Sequence, residues 1–379
     1  MADAVILIPG FFGFGRFGVL PGVTLEYFAG VRNELVRAEP SLAGRIVVHE
    51  PPPTGSIDER VASLHEAVRS VMEGRALRHN LPLRADRIHL VGHSAGGVDA
   101  RLYANSGFSW SGGPRDEERS VALEAIGQVV TVSSPLSGTP IARNALFDRD
   151  LFLFGVYLMS ILGMGKLRTP AGVLLAVASA VRKAPRGNAF ESLLRLVATL
   201  DDQSVAQLGD FFSDLVNDRQ LMNDLQVASL TARTAGLRPT DHPRLSSYVS
   251  VSPPPRWGLR FVLESVLYRL AYDATADGVV SGGLPQGAVL GGRVIERLRD
   301  PQPNDGVVPV ASQTLDGNAA AIVEADHLDV VGHFEDGSGI AHDDVCASIG
   351  KCSGDKSGNL LIARILVAKD QLERLRNDH

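Results

Sequence analysis

Apolar residues in the first third of the chain gather in short runs separated by longer stretches with helical spacing. Ala4 to Ile8, Ile46 to Val48, Ile88 to Val91 and Ile126 to Val132 are rich in Val and Ile, and the first ends at Pro9-Gly10. Runs this short, bounded by turn formers, predict buried strands. Between them, Leu25 to Val36 and Ile57 to Met72 place apolar residues three and four apart, which predicts helices, the second starting at a Ser56 N-cap. Regular alternation of strand and helix predicts an α/β fold with a mostly parallel, doubly wound sheet. Ser111 to Ser120, SGGPRDEERS, is charged and turn-rich and predicts an exposed loop.

The alternation stops near residue 146. LFLFGVYLMSILGMG, AGVLLAVASAV, FESLLRLVATL and VAQLGDFFSDLVNDRQLMNDL follow as helical stretches. This predicts a first core part over 1–145, a helical lid or cap over 146–240, and a second core part over 241–379. The uncharged run Leu151 to Gly165 is shorter than the roughly 20 apolar residues a membrane span needs. Its expected role is an apolar cover over a substrate cleft. Beyond it, Ser246 to Val251 and Ala319 to Val323 read as strands, and Leu259 to Tyr272 and Leu360 to Leu375 as helices.

With 379 residues, 45% of them hydrophobic, the chain can bury a large core. A net charge of −6 with no long basic run excludes a nucleic-acid partner by composition, since nothing would neutralise phosphates. Cys346 and Cys352 are expected as free thiols. The start MADAVILIPG lacks the basic residues, long apolar core and cleavage site of a secretory signal. A cytoplasmic protein is expected, or a secreted one if the sequence is a trimmed mature form. Oligomeric state is not legible.

Candidate chemistry centres on Arg87 to Ala104, RIHLVGHSAGGVDARLYA. An apolar strand runs into Gly92-His93-Ser94-Ala95-Gly96, and helical spacing follows. That is the strand, tight turn and helix on which a nucleophilic serine stands, with glycines two before and two after it where side chains would collide. A serine hydroxyl needs a base, and the base a carboxylate to orient it. In the order Ser, acid, His, the chain offers Asp305 in Asn304-Asp305-Gly306-Val307-Val308-Pro309 and His327 in Ala325-Asp326-His327-Leu328-Asp329. Asp277, which also precedes Gly-Val-Val, competes for the acid role, and Asp329, His333 and His342 lie near His327. His93 faces the wrong way from the turn to act as base and reads as its support. Acyl transfer also needs two oxyanion donors. Ala95 N–H is the first candidate and Phe11 N–H the second, in a glycine-rich loop whose Phe12 and Phe14 are candidates for contact with substrate.

These segments together resemble bacterial triacylglycerol lipases of the α/β-hydrolase superfamily, over roughly 4–147 and 300–335. LIPGFFGFGRFG is similar to their oxyanion loop, GVTLEYFAGVRNEL to the stretch after it, and LVGHSAGGVDARLYA to their nucleophile turn. VSSPLSGTPIA resembles their loop after the next strand, NDGVVP their acid turn and DHLDVVGHF their histidine loop. The resemblance implies an α/β-hydrolase fold, Ser94, Asp305 and His327 as catalytic triad, and Phe11 and Ala95 as oxyanion donors. It implies a serine ester hydrolase, a lipase or carboxylesterase, that needs no cofactor and meets a lipid or small ester, with a lipid–water interface as partner. An acyltransferase or polyester hydrolase would use the same triad; a catalytically silent lipid-binding protein would leave it idle. The chain departs from the family in carrying Pro9-Gly10 where His-Gly is usual. The resemblance also allows a structural calcium, which many relatives hold partly through the position of Asp329, although no convincing match for their second aspartate stands upstream of the acid turn here.

Overall fold

The structure, a computed structural model, describes residues 3–11, 16–20, 23–28, 31–77, 82–113, 116–143, 218–238, 245–252, 271–278, 280, 282–290, 294–327 and 329–331. Its frame is a seven-stranded parallel sheet. The strands are β1 (Asp3–Ile8), β4 (Ile46–Val48), β5 (Arg87–His93), β6 (Ile126–Val132), β7 (Leu245–Val251), β8 (Gln286–Leu290) and β9 (Asn318–Glu324). A separate antiparallel pair is formed by β2 (Arg16–Leu20) and β3 (Val23–Glu26). The sheet order is β4-β1-β5-β6-β7-β9-β8. Chain direction across the sheet therefore reverses between β1 and β5, and a crevice opens at such a switch point beyond the carboxyl ends of the strands.

Strands β1 and β5 are nearly continuous apolar runs because helices cover both faces of a parallel sheet. Ala4 to Ile8 and Ile88 to Val91 are all buried. Helix α2 (Ile57–Glu73) starts where the sequence places it. Ser56 Oγ accepts the Glu59 N–H at 3.3 Å, Glu59 accepts the Ser56 N–H at 2.8 Å, and Gly74 at φ 72° ends the helix. Ile57, Val61, Leu64, Val68 and Val71 form its buried stripe. Each such side chain contributes about 1.5–3 kcal/mol on burial, which outweighs any difference in helix propensity along the stripe.

Helix α3 (Ala95–Ala104) follows β5 and is buried along its whole length. After β6, the helices α5 (Gln220–Asp224) and α6 (Val227–Thr234) pack near the start of α2. Asp224 accepts the Ile57 N–H at 2.8 Å, and the Leu221 N–H meets the Thr54 carbonyl at 3.0 Å. The rest of the expected lid over 146–240 lies outside the described residues, as do Cys346, Cys352 and the terminal stretch Leu360 to Leu375. Among the described residues no helix is long and apolar enough to cross a membrane.

Three local expectations are corrected. Leu25 and Glu26 belong to β3, and the helix expected over Leu25 to Val36 begins only at Val31, as α1 (Val31–Ala38). The alternating Val23-Thr24-Leu25-Glu26, just after Pro21-Gly22, fits a strand next to a turn better than a helix start. The segment Ser111 to Ser120 is not all loop, because α4 (Asp116–Glu124) takes its second half. Strand β8 was not expected, since its own Gln286-Gly287-Ala288 start gives it no apolar alternation.

Candidate active site

The C-terminal ends of β1, β5, β6, β7 and β9 bring the sequence candidates to one edge. Ser94 ends β5 at φ 55° and ψ −130°, a backbone region that costs a non-glycine residue about 1–3 kcal/mol and persists where surrounding packing fixes it. The packing is tight on both sides. A side chain at Gly92 would overlap the Gly96 carbonyl, and one at Gly96 would overlap the Ile8 carbonyl. The strained turn lifts Ser94, 8% exposed, to the start of α3, with Ala95 as the first helical residue.

His327 lies just beyond β9, held by its N–H on the Asp305 carbonyl at 3.0 Å. Its Nδ1 is 2.9 Å from Asp305 Oδ2 and its Nε2 is 2.9 Å from Ser94 Oγ. Asp305 is fully buried and receives hydrogen bonds from several sides. Val307 and Val308 N–H reach Oδ1 at 3.0 and 2.7 Å; Ser250 Oγ and Gln313 Nε2 reach Oδ2 at 2.8 and 3.4 Å. Because every protein group around the carboxyl donates, Asp305 is an acceptor toward His327 as well. That fixes the proton on Nδ1 and leaves the Nε2 lone pair facing Ser94. Gln313 in turn accepts the Ser250 N–H at 2.8 Å and donates to the Ser250 and Val308 carbonyls at 3.0 and 3.2 Å. Ser133, at φ 50°, lies 2.6 Å through Oγ from Ser250 Oγ. With the Ser250 proton directed at Asp305, Ser133 is the donor in that contact.

The competitors separate. Asp277 is exposed, at the end of a helical turn whose backbone bond runs from its N–H to the Asp273 carbonyl at 2.9 Å. His333 and His342 lie outside the described residues, and so does the side chain of Asp329. Among the described residues no group of His, Cys, Asp and Glu gathers as a metal site.

The loop after β1 meets the serine from the other side. A Cβ on Gly10 would lie 2.7 Å from Ser94 Cβ and 3.1 Å from Ser94 Oγ, so only a glycine lets the backbone come this close. Arg60 of α2, fully buried, donates from Nη2 to the Pro9 and Gly10 carbonyls at 3.1 and 3.3 Å, and from Nη1 to the Pro52 carbonyl at 2.9 Å. Its Nε and Nη2 also grip Asp99 Oδ2 at 2.9 and 2.7 Å. Burial pushes the Asp99 carboxyl up, and the Arg60 guanidinium offsets only part of that rise. A trans peptide points its C=O and N–H in opposite directions, so with Gly10 C=O turned to Arg60, the Phe11 N–H is aimed away from Arg60. Phe12 and Phe14 lie outside the described residues.

Sequence reasoning missed Ser250, Gln313, Arg60 and Asp99. A buried arginine inside the apolar face of α2 was a legible oddity; Ser250 and Gln313 carried no comparable signal.

No protein-family model matches the chain, and no curated protein does. Solved structures do. EstA from Clostridium botulinum is similar with a TM-score of 0.53 at 18% identity, over 93% of this chain and 88% of that one. Lipase 1 from Pelosinus fermentans is similar with a TM-score of 0.53 at 16% identity, over 97% of this chain and 98% of that one. At these identities the likeness establishes the α/β-hydrolase fold.

Proposed function

We propose that this chain is a serine ester hydrolase that cleaves apolar acyl esters through an acyl-enzyme. The observation that carries this reading is the hydrogen-bonded line from Asp305 through His327 to Ser94, with its serine on a strained strand-to-helix turn. Ser94 Oγ attacks the ester carbonyl while His327 Nε2 takes its proton, and Asp305 stabilises the imidazolium that forms. Charge developing on the carbonyl oxygen is met by the Ala95 N–H, with the dipole of α3 behind it, and by the Phe11 N–H. His327 then passes its proton to the leaving alcohol, and water, activated by the same histidine, releases the acid. A neighbour of the same fold that is named a lipase supports the reaction class. The apolar stretch between Leu151 and Val181 supports an apolar acyl group.

A fluorophosphonate probe tests the reading directly. It should label wild type at Ser94 and leave Ser94→Ala unlabelled, while hydrolysis of p-nitrophenyl esters falls by several orders of magnitude with an unchanged melting temperature. If Ser94→Ala keeps more than about a tenth of wild-type kcat, Ser94 is not the nucleophile. Rates across esters from C2 to C16 and triglyceride emulsions then place the enzyme between esterase and lipase.

A further inference from the structure

Two histidine rings meet at a tilt beside Ser94, with centroids 4.7 Å apart, and the hydrolytic cycle uses only His327. His93 is fully buried, with partners at both nitrogens. Its Nε2 lies 2.7 Å from the main-chain carbonyl of His327. A carbonyl only accepts, so Nε2 carries a proton. In the neutral ring Nδ1 is then a lone pair, and the Tyr27 hydroxyl 2.8 Å away donates to it. Burial pushes the Tyr27 phenol up, which keeps it a donor, and a hydrogen bond from the Gly10 backbone acts in the other direction. With the phenol proton committed to His93, Tyr27 Oη is the acceptor for the Gly10 N–H. A Cβ on Gly10 would lie 2.7 Å from this same oxygen.

A continuous line thus runs from the Gly10 N–H to Tyr27, from Tyr27 to His93, and from His93 to the His327 carbonyl. It joins the loop that carries Phe11 to the loop that carries the base. Gly10 is held at both polar backbone atoms, its N–H by Tyr27 and its C=O by Arg60. We infer that Tyr27 and His93 are a positioning pair that sets the oxyanion loop and the His327 loop in register with each other. The inference rests on the ester hydrolase reading. Neither residue touches the reacting atoms; each acts on where the Phe11 N–H and the His327 ring stand.

Packing alone is the competing account, since Tyr27 also meets the Phe28 ring edge-on at a centroid distance of 5.1 Å. Tyr27→Phe keeps that ring and removes the hydroxyl. It is expected to lower kcat by about 10- to 100-fold, the cost of a small misplacement of catalytic groups, with KM within twofold. Affinity for a boronic acid that mimics the tetrahedral intermediate should fall in parallel with kcat/KM. His93→Leu should do the same, and Tyr27→Phe with His93→Leu together should be no worse than the worse single change, because both cut one line. His93→Gln, which can donate to the His327 carbonyl, should regain most of the loss. Melting curves confirm folding of each variant. Wild-type kcat and boronate affinity in Tyr27→Phe, or single losses that multiply in the double variant, would overturn the pairing. Fluorophosphonate labelling of Ser94 in the same preparations separates this outcome from failure of the ester hydrolase reading, which would remove labelling from wild type too.

Discussion

Asp-Gly-Val-Val occurs at 277–280 and again at 305–308, and the two copies meet opposite surroundings. Asp277 is exposed at the end of a helical turn. Asp305, with the same residues after it, is fully buried and bound by Val307 N–H, Val308 N–H, Ser250, Gln313 and His327. The segments are neighbours, for Thr275 Oγ1 reaches the Gly306 carbonyl at 3.3 Å. What separates them is the wall each turn faces. The second turn folds back on itself, with Asn304 bridged to Pro309 and the Ser252 N–H on the Asn304 carbonyl at 3.0 Å, which presses its aspartate against the ends of β7 and β9. The turn supplies two of the Asp305 contacts from its own amides, and the wall supplies the others, from Ser250, Gln313 and His327.

The comparison breaks first at the carboxylate. Asp305→Asn keeps the shape but offers an amide to His327 Nδ1, which favours the wrong tautomer at Nε2. We expect kcat at neutral pH to drop by about 10,000-fold with KM little changed, measured on a soluble p-nitrophenyl ester. A loss below tenfold would mean that the buried turn is only structural.

The wall comes next. Ser250→Ala removes a donor to Oδ2 and also leaves Ser133 Oγ without the oxygen it donates to. Gln313→Leu removes the amide that ties Ser250, Val308 and Asp305 together. Each should lower kcat by about tenfold and stability by about 1–3 kcal/mol, the cost of buried polar groups left unpaired. A loss of melting temperature with unchanged kcat would make this wall a stabilising feature without influence on the acid.

These partners also mark how far the sequence could be read. The runs of Val and Ile placed β1, β4, β5, β6, β7 and β9 within a residue or two, because strands buried on both faces leave continuous apolar segments. Ser94 and His327 were legible because each follows such a strand, and Asp305 because it stands in a turn-forming stretch between strands; the structure brings the three into contact. Ser250 was not: in LSSYVSV it is one of several serines, and which of them meets a carboxylate depends on a loop 55 residues away. Gln313 shares that character, whereas Arg60 stood out as a charge on the apolar face of α2 while its partners at Pro9, Gly10 and Asp99 lie remote along the chain. The hairpin of β2 and β3 and the edge strand β8 were missed for a different reason. Strands of only four or five residues are too short to show a period against neighbouring turns.

The turn itself offers a smaller test. Gly306 sits at φ 96°, where an alanine is strained by about 1–3 kcal/mol, and its own N–H is taken by Asn304 Oδ1 at 2.8 Å. Gly306→Ala should shift the Val307 and Val308 amides off Asp305 Oδ1 and lower kcat severalfold. The counterpart Gly278→Ala meets another obstacle, a collision with the Pro140 ring, so it should lower the melting temperature while kcat per folded molecule stays near wild type. Equal kcat losses in both variants would show that the turn conformation has no special link to the acid.

The smallest expected effect is the sharpest check of the comparison. Asp277→Asn alters one charge on an exposed side chain at the end of a helical turn, and a surface change of this kind shifts stability by no more than about 0.5 kcal/mol. The position shares two of the features that nominated Asp305: it lies between the serine and the histidine, and it precedes Gly-Val-Val. If the wall makes the acid, removing this charge should leave kcat and KM within twofold of wild type across pH 6 to 9, in the same assay that registers the collapse of Asp305→Asn. A loss at Asp277 comparable to that at Asp305 would mean that the exposed carboxylate also acts on His327, and the burial of Asp305 would no longer explain which aspartate orients the base.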